Sequence, residues 1–235
     1  TDACAAPCRF GSGFAHEGVS RSAHWVVAQA SGVIAAALSA HPTARVVVTG
    51  HSMGGATATL VAALLRAQAR AHPESAAASA FAAARAIAFA PLPVLSSREL
   101  ATDDEHRRFS LSVVCGCDFA PRLSIEALSR LRQELQHAGL RAAGDRALQR
   151  LRRIVDLGGS RPAEKAAAAG AGVEAGAERE GEKRLAMAGR VLYLPPPDAT
   201  PLQPSRACWA EPSDFSRLLV TEGCLRDHLV SRYEA

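Results

Sequence analysis

A serine set between two glycines at the end of a β-branched run is where this chain's residue types and spacing first suggest chemistry. Val46 to Gly55 reads Val-Val-Val-Thr-Gly-His-Ser-Met-Gly-Gly. An apolar run feeding Gly-x-Ser-x-Gly is the pattern of a sharp strand-to-helix turn that exposes a serine hydroxyl. Ser52 is the candidate nucleophile, and Gly50 and Gly54 are the elbow positions at which a Cβ is expected to clash as strand and helix pass each other. The backbone N–H of Met53, at the start of the following helix, is a candidate oxyanion donor.

A serine nucleophile needs a base to take its proton, and the base needs a partner that fixes its tautomer. In the α/β-hydrolase plan these follow in the order Ser, Asp, His. Asp118 lies in Gly116-Cys117-Asp118-Phe119, just past the apolar β-branched segment Leu111 to Cys115. That places it at the carboxyl end of a strand, the edge where open α/β sheets build their sites. His228, in Arg226-Asp227-His228-Leu229, follows near the end of the chain and is the candidate base. His137 also follows Asp118, but reads as a solvated residue at a helix end among basic neighbours. His51 is expected to point away from the hydroxyl and pack under the turn. His16, His24, His41, His72 and His106 default to structural or exposed roles. Asp103, Asp104 and Asp227 read as surface or capping carboxylates, which leaves Asp118 as the orienting acid.

These residues need elements to position them. Ala44 to Thr49 reads as a buried parallel strand, preceded by a helix with Ala23, Val27, Ala30, Ile34 and Leu38 on one face. Gly55 to Arg70, rich in Ala and Leu, continues as a helix from the turn. Further strands are expected at Ala86–Ala90, Leu111–Cys115 and Arg190–Leu194. A helix is expected from Ser124, with Ile125, Leu128, Leu131 and Leu135 on its apolar stripe. From Gly158 to Gly189 the composition shifts to Ala, Gly, Glu, Lys and Arg, the pattern of a low-complexity insertion into a single domain spanning 1–235.

Composition bounds the function classes. A chain of 235 residues buries one substantial core, and no apolar run reads as long enough to cross a bilayer, so a soluble or peripheral protein is expected. Thr1 in place of methionine reads as a piece of something longer. The net charge of +4 comes from arginines spread along the chain, with Lys165 and Lys183 as the lysines, and gives nucleic-acid binding little support. The six cysteines show no paired Cys-x-x-Cys and no histidine at metal-ligand spacing. They read as mostly reduced, with a Cys208–Cys224 bridge conceivable in an oxidising compartment. No metal or organic cofactor is implied.

Gly50–Ala56, the His16-Glu17-Gly18 segment, Cys117–Ser124 and Asp227-His228 followed by Tyr233 together resemble the class 3 lipases. The diacylglycerol lipase branch is the most similar. It carries an aspartate-x-x-proline-arginine-leucine-serine stretch, a long insertion before the last strand, and a tail like Trp209 and Pro212-Ser213-Asp214-Phe215 leading to Asp-His. The resemblance spans nearly all of the chain outside 158–189.

The resemblance implies an α/β-hydrolase fold, mostly a parallel sheet with flanking helices, that cleaves fatty-acyl esters of glycerolipids without a cofactor. Ser52, Asp118 and His228 take the triad roles in it. The implied partner is an acylglycerol at a membrane or lipid-droplet surface, with a cytoplasmic or membrane-associated location. Class 3 lipases also carry an upstream strand ending in arginine-glycine-threonine or serine, which supplies a second oxyanion donor, and then a lid helix. This chain shows neither motif, and the segment 1–13 reads as a remnant of the lid connection. Two other classes remain open: a silent hydrolase fold serving as an interaction or lipid-sensing module, and a serine hydrolase of another acyl bond such as a thioester.

Overall fold

The computed structural model describes residues 7–96, 104–137, 184–196 and 206–233. The elements run β1 (Pro7–Phe10), β2 (Gly13–His16), α1 (Glu17–Ala40), β3 (Val47–His51), α2 (Met53–Ala71), α3 (Ala78–Ala82), β4 (Arg85–Phe89), β5 (Leu95–Ser96), α4 (Asp104–Phe109), β6 (Ser110–Cys115), α5 (Ile125–His137), β7 (Leu185–Ala186), β8 (Arg190–Leu194), β9 (Cys208–Ala210) and α6 (Gly223–Arg226). Short 3-10 turns at Ala120–Arg122, Pro212–Phe215 and Val230–Arg232 complete the path.

The main sheet has the order β3-β4-β6-β8-β9. Its first four strands are parallel and β9 closes one side antiparallel. Because β3 and β6 run the same way, the loops holding Ser52 and Asp118 leave the sheet at one edge. At the other side of the sheet β3 has no neighbour among the described residues, and Val47 is 52% exposed. A second, antiparallel sheet of order β1-β2-β5-β7 is built by the N-terminal hairpin and two short strands.

The core between the sheets and α1 and α2 is rich in small side chains. Ala56, Ala62, Ala84, Ala86 and Ala88 are buried beside Leu60, Leu65 and Leu95. Alanines let helix and strand backbones approach closely but bury little apolar area each, so the larger residues supply most of the hydrophobic stabilisation. A second cluster joins Phe119, Ala120, Leu123, Ala127, Leu218 and Cys224. It fastens the loop after β6 to the C-terminal segment.

Several expectations change. The N-terminal stretch is no mere connection: residues 7–16 form the β1-β2 hairpin, paired from Pro7 with His16 to Phe10 with Gly13. The low-complexity segment ends earlier than composition suggested. Leu185 and Ala186 form β7, and Met187 and Ala188 are buried, so 184–189 belong to the fold while 158–183 lie outside the described residues. Helix α1 is long and apolar enough to cross a membrane by length and composition, contrary to the hydropathy reading; its window has a mean hydropathy of 1.3. It packs here along α2, with Val19, Ser20 and Ala23 buried in its first turns. The described cysteines, Cys8, Cys115, Cys117, Cys208 and Cys224, are all free thiols, so the Cys208–Cys224 bridge is not made. Cys208 is exposed on β9 whereas Cys224 is buried under the second cluster. Ile125 points to solvent, and Ala127 is the buried residue of α5, whose start is capped by Ser124 Oγ accepting from the Ala127 N–H at 3.0 Å.

Candidate active site

Ser52 sits between β3 and α2 with φ 58° and ψ −124°, a left-handed backbone that a non-glycine residue adopts only where its surroundings impose it. Its N–H donates to the Phe89 carbonyl of β4 at 2.8 Å, and its carbonyl accepts from the Ala56 N–H at 3.1 Å. These two bonds hold the turn from both sides. A Cβ at Gly50 would be driven into the Gly54 carbonyl, as the steric argument requires. Gly54 is the correction: it is exposed, and a Cβ there would meet nothing within 4 Å. Gly55 carries that constraint instead, since its Cβ would sit 3.0 Å from the Gly50 carbonyl oxygen and 3.1 Å from that of Phe89. The helix comes nearest the strand one residue later than the motif's second glycine. Met53 is the first residue of α2, so its N–H belongs to the turn whose donors have no partner within the helix.

Asp118 is fully buried at the end of β6. Its Oδ1 accepts from the Ala120 N–H at 2.9 Å and from His228 Nδ1 at 3.0 Å. Its Oδ2 accepts the Tyr233 hydroxyl at 2.6 Å and also lies 3.2 Å from His228 Nδ1. With a carboxylate at Nδ1, the neutral imidazole carries its proton there and leaves Nε2 as the basic nitrogen. The His228 ring is flanked by His51 and Phe119, at centroid separations of 4.6 and 4.8 Å. Burial and, after it, the Asp118 charge push the Tyr233 phenol far above its usual value, so it stays a donor. Tyr233 Oη also accepts from the Cys115 N–H at 3.1 Å.

Two residues that the sequence reading gives structural or surface roles, Asp227 and His51, belong to this framework, and a third, His16, serves elsewhere. Asp227, read as a surface or capping carboxylate, is buried, and its Oδ2 accepts from the Cys117 N–H at 2.9 Å. It lies so close to Gly116, at φ 50°, that a Cβ there would overlap it. His51 is turned onto the C-terminal segment, where its Nε2 donates to the His228 carbonyl at 2.8 Å. Burial, and then the neighbouring His228, hold its pKa below the ordinary value. His16 caps α1 by accepting from the Val19 N–H at 3.4 Å. The one sequence signal for the first two was adjacency, since Asp227 precedes His228 and His51 precedes Ser52.

The structure thus brings Asp118 and His228 into direct contact and sets His51, the neighbour of Ser52, against His228. Among the described residues Ser52 Oγ makes no side-chain hydrogen bond to cap α2.

The sequence profile of the family described as Lipase (class 3) matches residues 3–127, a span that includes Ser52 and Asp118 and stops short of His228. Diacylglycerol lipase-beta of Mus musculus is 30% identical over 123 residues, covering 52% of this chain and 16% of that protein. The Rhizomucor miehei lipase in its propeptide complex superposes at a TM-score of 0.53 with 17% identity, over 95% of this chain and 52% of that one. The lipase of Rhizopus microsporus var. chinensis gives a TM-score of 0.42 at 22% identity, over 52% of this chain and 42% of that one. The chain therefore spans about a sixth of its curated relative and about half of the Rhizomucor lipase chain, and the latter likeness shows the α/β-hydrolase fold.

Proposed function

Since the chain belongs to the class 3 lipase family, we propose that it is the catalytic portion of a serine hydrolase of acylglycerols, acting through Ser52, Asp118 and His228. One observation carries the reading: a buried carboxylate, Asp118, accepts from His228 Nδ1 at the same sheet edge as a serine held in a strained strand-to-helix turn. In this mechanism His228 Nε2 takes the Ser52 proton as Oγ attacks the ester carbonyl. The proton passes to the departing glycerol oxygen, and an acyl-enzyme remains. Water then attacks the acyl carbonyl, giving its proton to the same Nε2, and the fatty acid leaves as Oγ is reprotonated. Asp118 stays ionised throughout and stabilises the imidazolium. The Met53 N–H is the proposed donor to the developing oxyanion, and Gly50 and Gly54 complete the elbow, with Gly55 taking the close approach.

A diacylglycerol is the proposed substrate, in line with the relative named above. The proposed setting is a lipid surface. Leu219, Val220, Leu225, Leu229 and Val230 are exposed on the segment that bears His228, a concentration of apolar side chains suited to contact with acyl chains. The chain is proposed to form one domain, with 158–183 inserted in it.

A second reading has one observation in its favour. Among the described residues no strand pairs with the outer edge of β3, where the class 3 resemblance implies the strand that supplies a second oxyanion donor, and losing such a donor costs on the order of a hundredfold or more in turnover. A silent hydrolase fold that binds lipid would share this geometry. Labelling with a fluorophosphonate, with Ser52→Ala as control, followed by fatty-acid release from a diacylglycerol, separates the two. Ser52-dependent labelling with release is expected; a folded chain that neither labels nor hydrolyses would sink the enzyme reading.

A further inference from the structure

The hydrogen bonds that hold the His228 segment differ in where they are anchored. The Asp227 carboxylate is tied to Cys117, the Tyr233 hydroxyl to Cys115 and Asp118, and the His228 ring to Asp118. All of these end on residues 115–118, the far end of β6. The bond from His51 Nε2 to the His228 carbonyl ends on β3, at the residue directly before Ser52. His51 is itself fixed, because its strand pairs with β4 in the register His51 with Phe89, and the Phe89 carbonyl takes the Ser52 N–H.

From this arrangement we infer that His51 is a positioning residue, the side chain that sets the distance between the serine turn and the imidazole of His228. A carbonyl oxygen only accepts, so His51 must carry its proton on Nε2 to make the bond. Its ring lies 4.6 Å from that of His228 and edge-on to Tyr233 at 5.9 Å, so the base is held through its backbone and packed along its side. The requirement is strict. Proton transfer needs the serine oxygen and the base nitrogen within about 2.6–3.2 Å, and a misplacement of about 1 Å is worth about a hundredfold in rate. Asp118 orients the ring but does not reference it to β3, and His51 supplies that reference.

The inference rests on the triad reading above, and the experiment separates their failures. The rate of fluorophosphonate labelling, and kcat and KM on a short soluble ester such as p-nitrophenyl butyrate, are measured for the unaltered chain, Ser52→Ala, His51→Met and His51→Gln. His51→Met keeps the volume but removes the donor, and it should lower labelling and kcat by about ten- to a hundredfold with KM nearly unchanged. Glutamine brings an amide N–H to a similar reach and should restore most of the loss. Labelling that depends on Ser52 but is equally fast in His51→Met overturns the inference alone, as does a glutamine variant as slow as methionine. An unaltered chain that does not label at Ser52 overturns the triad reading and this inference with it. Where His51→Met fails to fold, the nitrogen-15 histidine spectrum of the unaltered chain decides: a proton on Nε2 of His51 at neutral pH is expected, and an Nδ1–H tautomer, which leaves Nε2 without a proton to donate, overturns the proposal.

Discussion

The two halves of the site are held in place by different physics. The serine turn is fixed by sterics within a short stretch of chain, where Gly50 and Gly55 let strand and helix touch and the Phe89 carbonyl holds the turn from the next strand. The acid and base are fixed by part-buried hydrogen bonds between segments more than a hundred residues apart, with Asp118 accepting from His228 and Tyr233, while the Ala120 N–H holds the carboxylate locally. A steric constraint fails where a single added atom has no room. A hydrogen-bonded one fails by degrees, as each donor or acceptor is removed.

The largest expected effect tests the polar half. Asp118→Asn keeps the shape of the side chain but turns one acceptor into a donor, so His228 is no longer held in the tautomer with Nδ1–H. Turnover on an acylglycerol should fall by about ten-thousandfold while the folded state persists by circular dichroism. Near-normal activity would place the orienting acid elsewhere. The steric half is tested by a pair of glycines. Gly50→Ala forces a Cβ into the Gly54 backbone and should cost about 3 kcal/mol or more, or abolish folding. Gly54→Ala, in the first turn of α2 with open space around it, should be neutral or stabilise by up to about 1 kcal/mol. Equal melting temperatures for the two variants would refute the assignment of the close approach to Gly55 and Gly50.

Tyr233→Phe should have a smaller effect, and it addresses both stability and rate. The ring contacts with Phe89 and His51 survive, but Asp118 loses a donor and the Cys115 N–H loses its acceptor. An unsatisfied buried polar group costs about 1–3 kcal/mol, so chemical denaturation should show a loss in that range, with a modest drop in turnover. A variant as stable as the unaltered chain would mean that water replaces the hydroxyl without loss.

The contrast between the halves also explains what the sequence made legible. The turn was readable because its constraints are local: a β-branched run, glycines at fixed offsets and an alanine-rich helix lie side by side in the chain. Strand β8 is legible with its bounds intact at Arg190–Leu194, because Val-Leu-Tyr-Leu is a short apolar run that ends at the prolines from Pro195, which leaves few alternatives. Asp118 and His228 were chosen by their order in the chain and by the strand end, and the structure puts them in contact. Gly54 misled because the motif records which residues recur around the serine but not which Cβ would clash. Asp227 and His51 were set aside because a carboxylate beside a histidine, or a histidine beside a serine, has no periodic signature that marks burial. The β1-β2 hairpin and β7 were missed because four- and two-residue strands fall below the length at which alternation is visible.

The smallest effect separates the halves at their junction. Burial, and after it His228, hold the His51 pKa below 6.5, while its bond to the His228 carbonyl and the Asp118 charge pull the other way. Between that lowered value and about 6.5 the unfolded chain binds more protons than the folded one, so stability rises with pH across this window. The contribution of neutral His51 is complete above about pH 6.5 and is lost as the pH falls toward the lowered value. The neighbouring groups, His228, Asp118 and Tyr233, are present in His51→Gln as well, so the comparison of the two chains reads the ionisable side chain at position 51. Melting temperatures should therefore differ by a constant amount above pH 7, and the unaltered chain should lose stability faster than His51→Gln as the pH drops below about 6.5. A difference that stays constant down to pH 5 would mean that His51 keeps its ordinary titration in the folded chain, and that the junction is more open to water than the packing of His51 against His228 and Tyr233 implies.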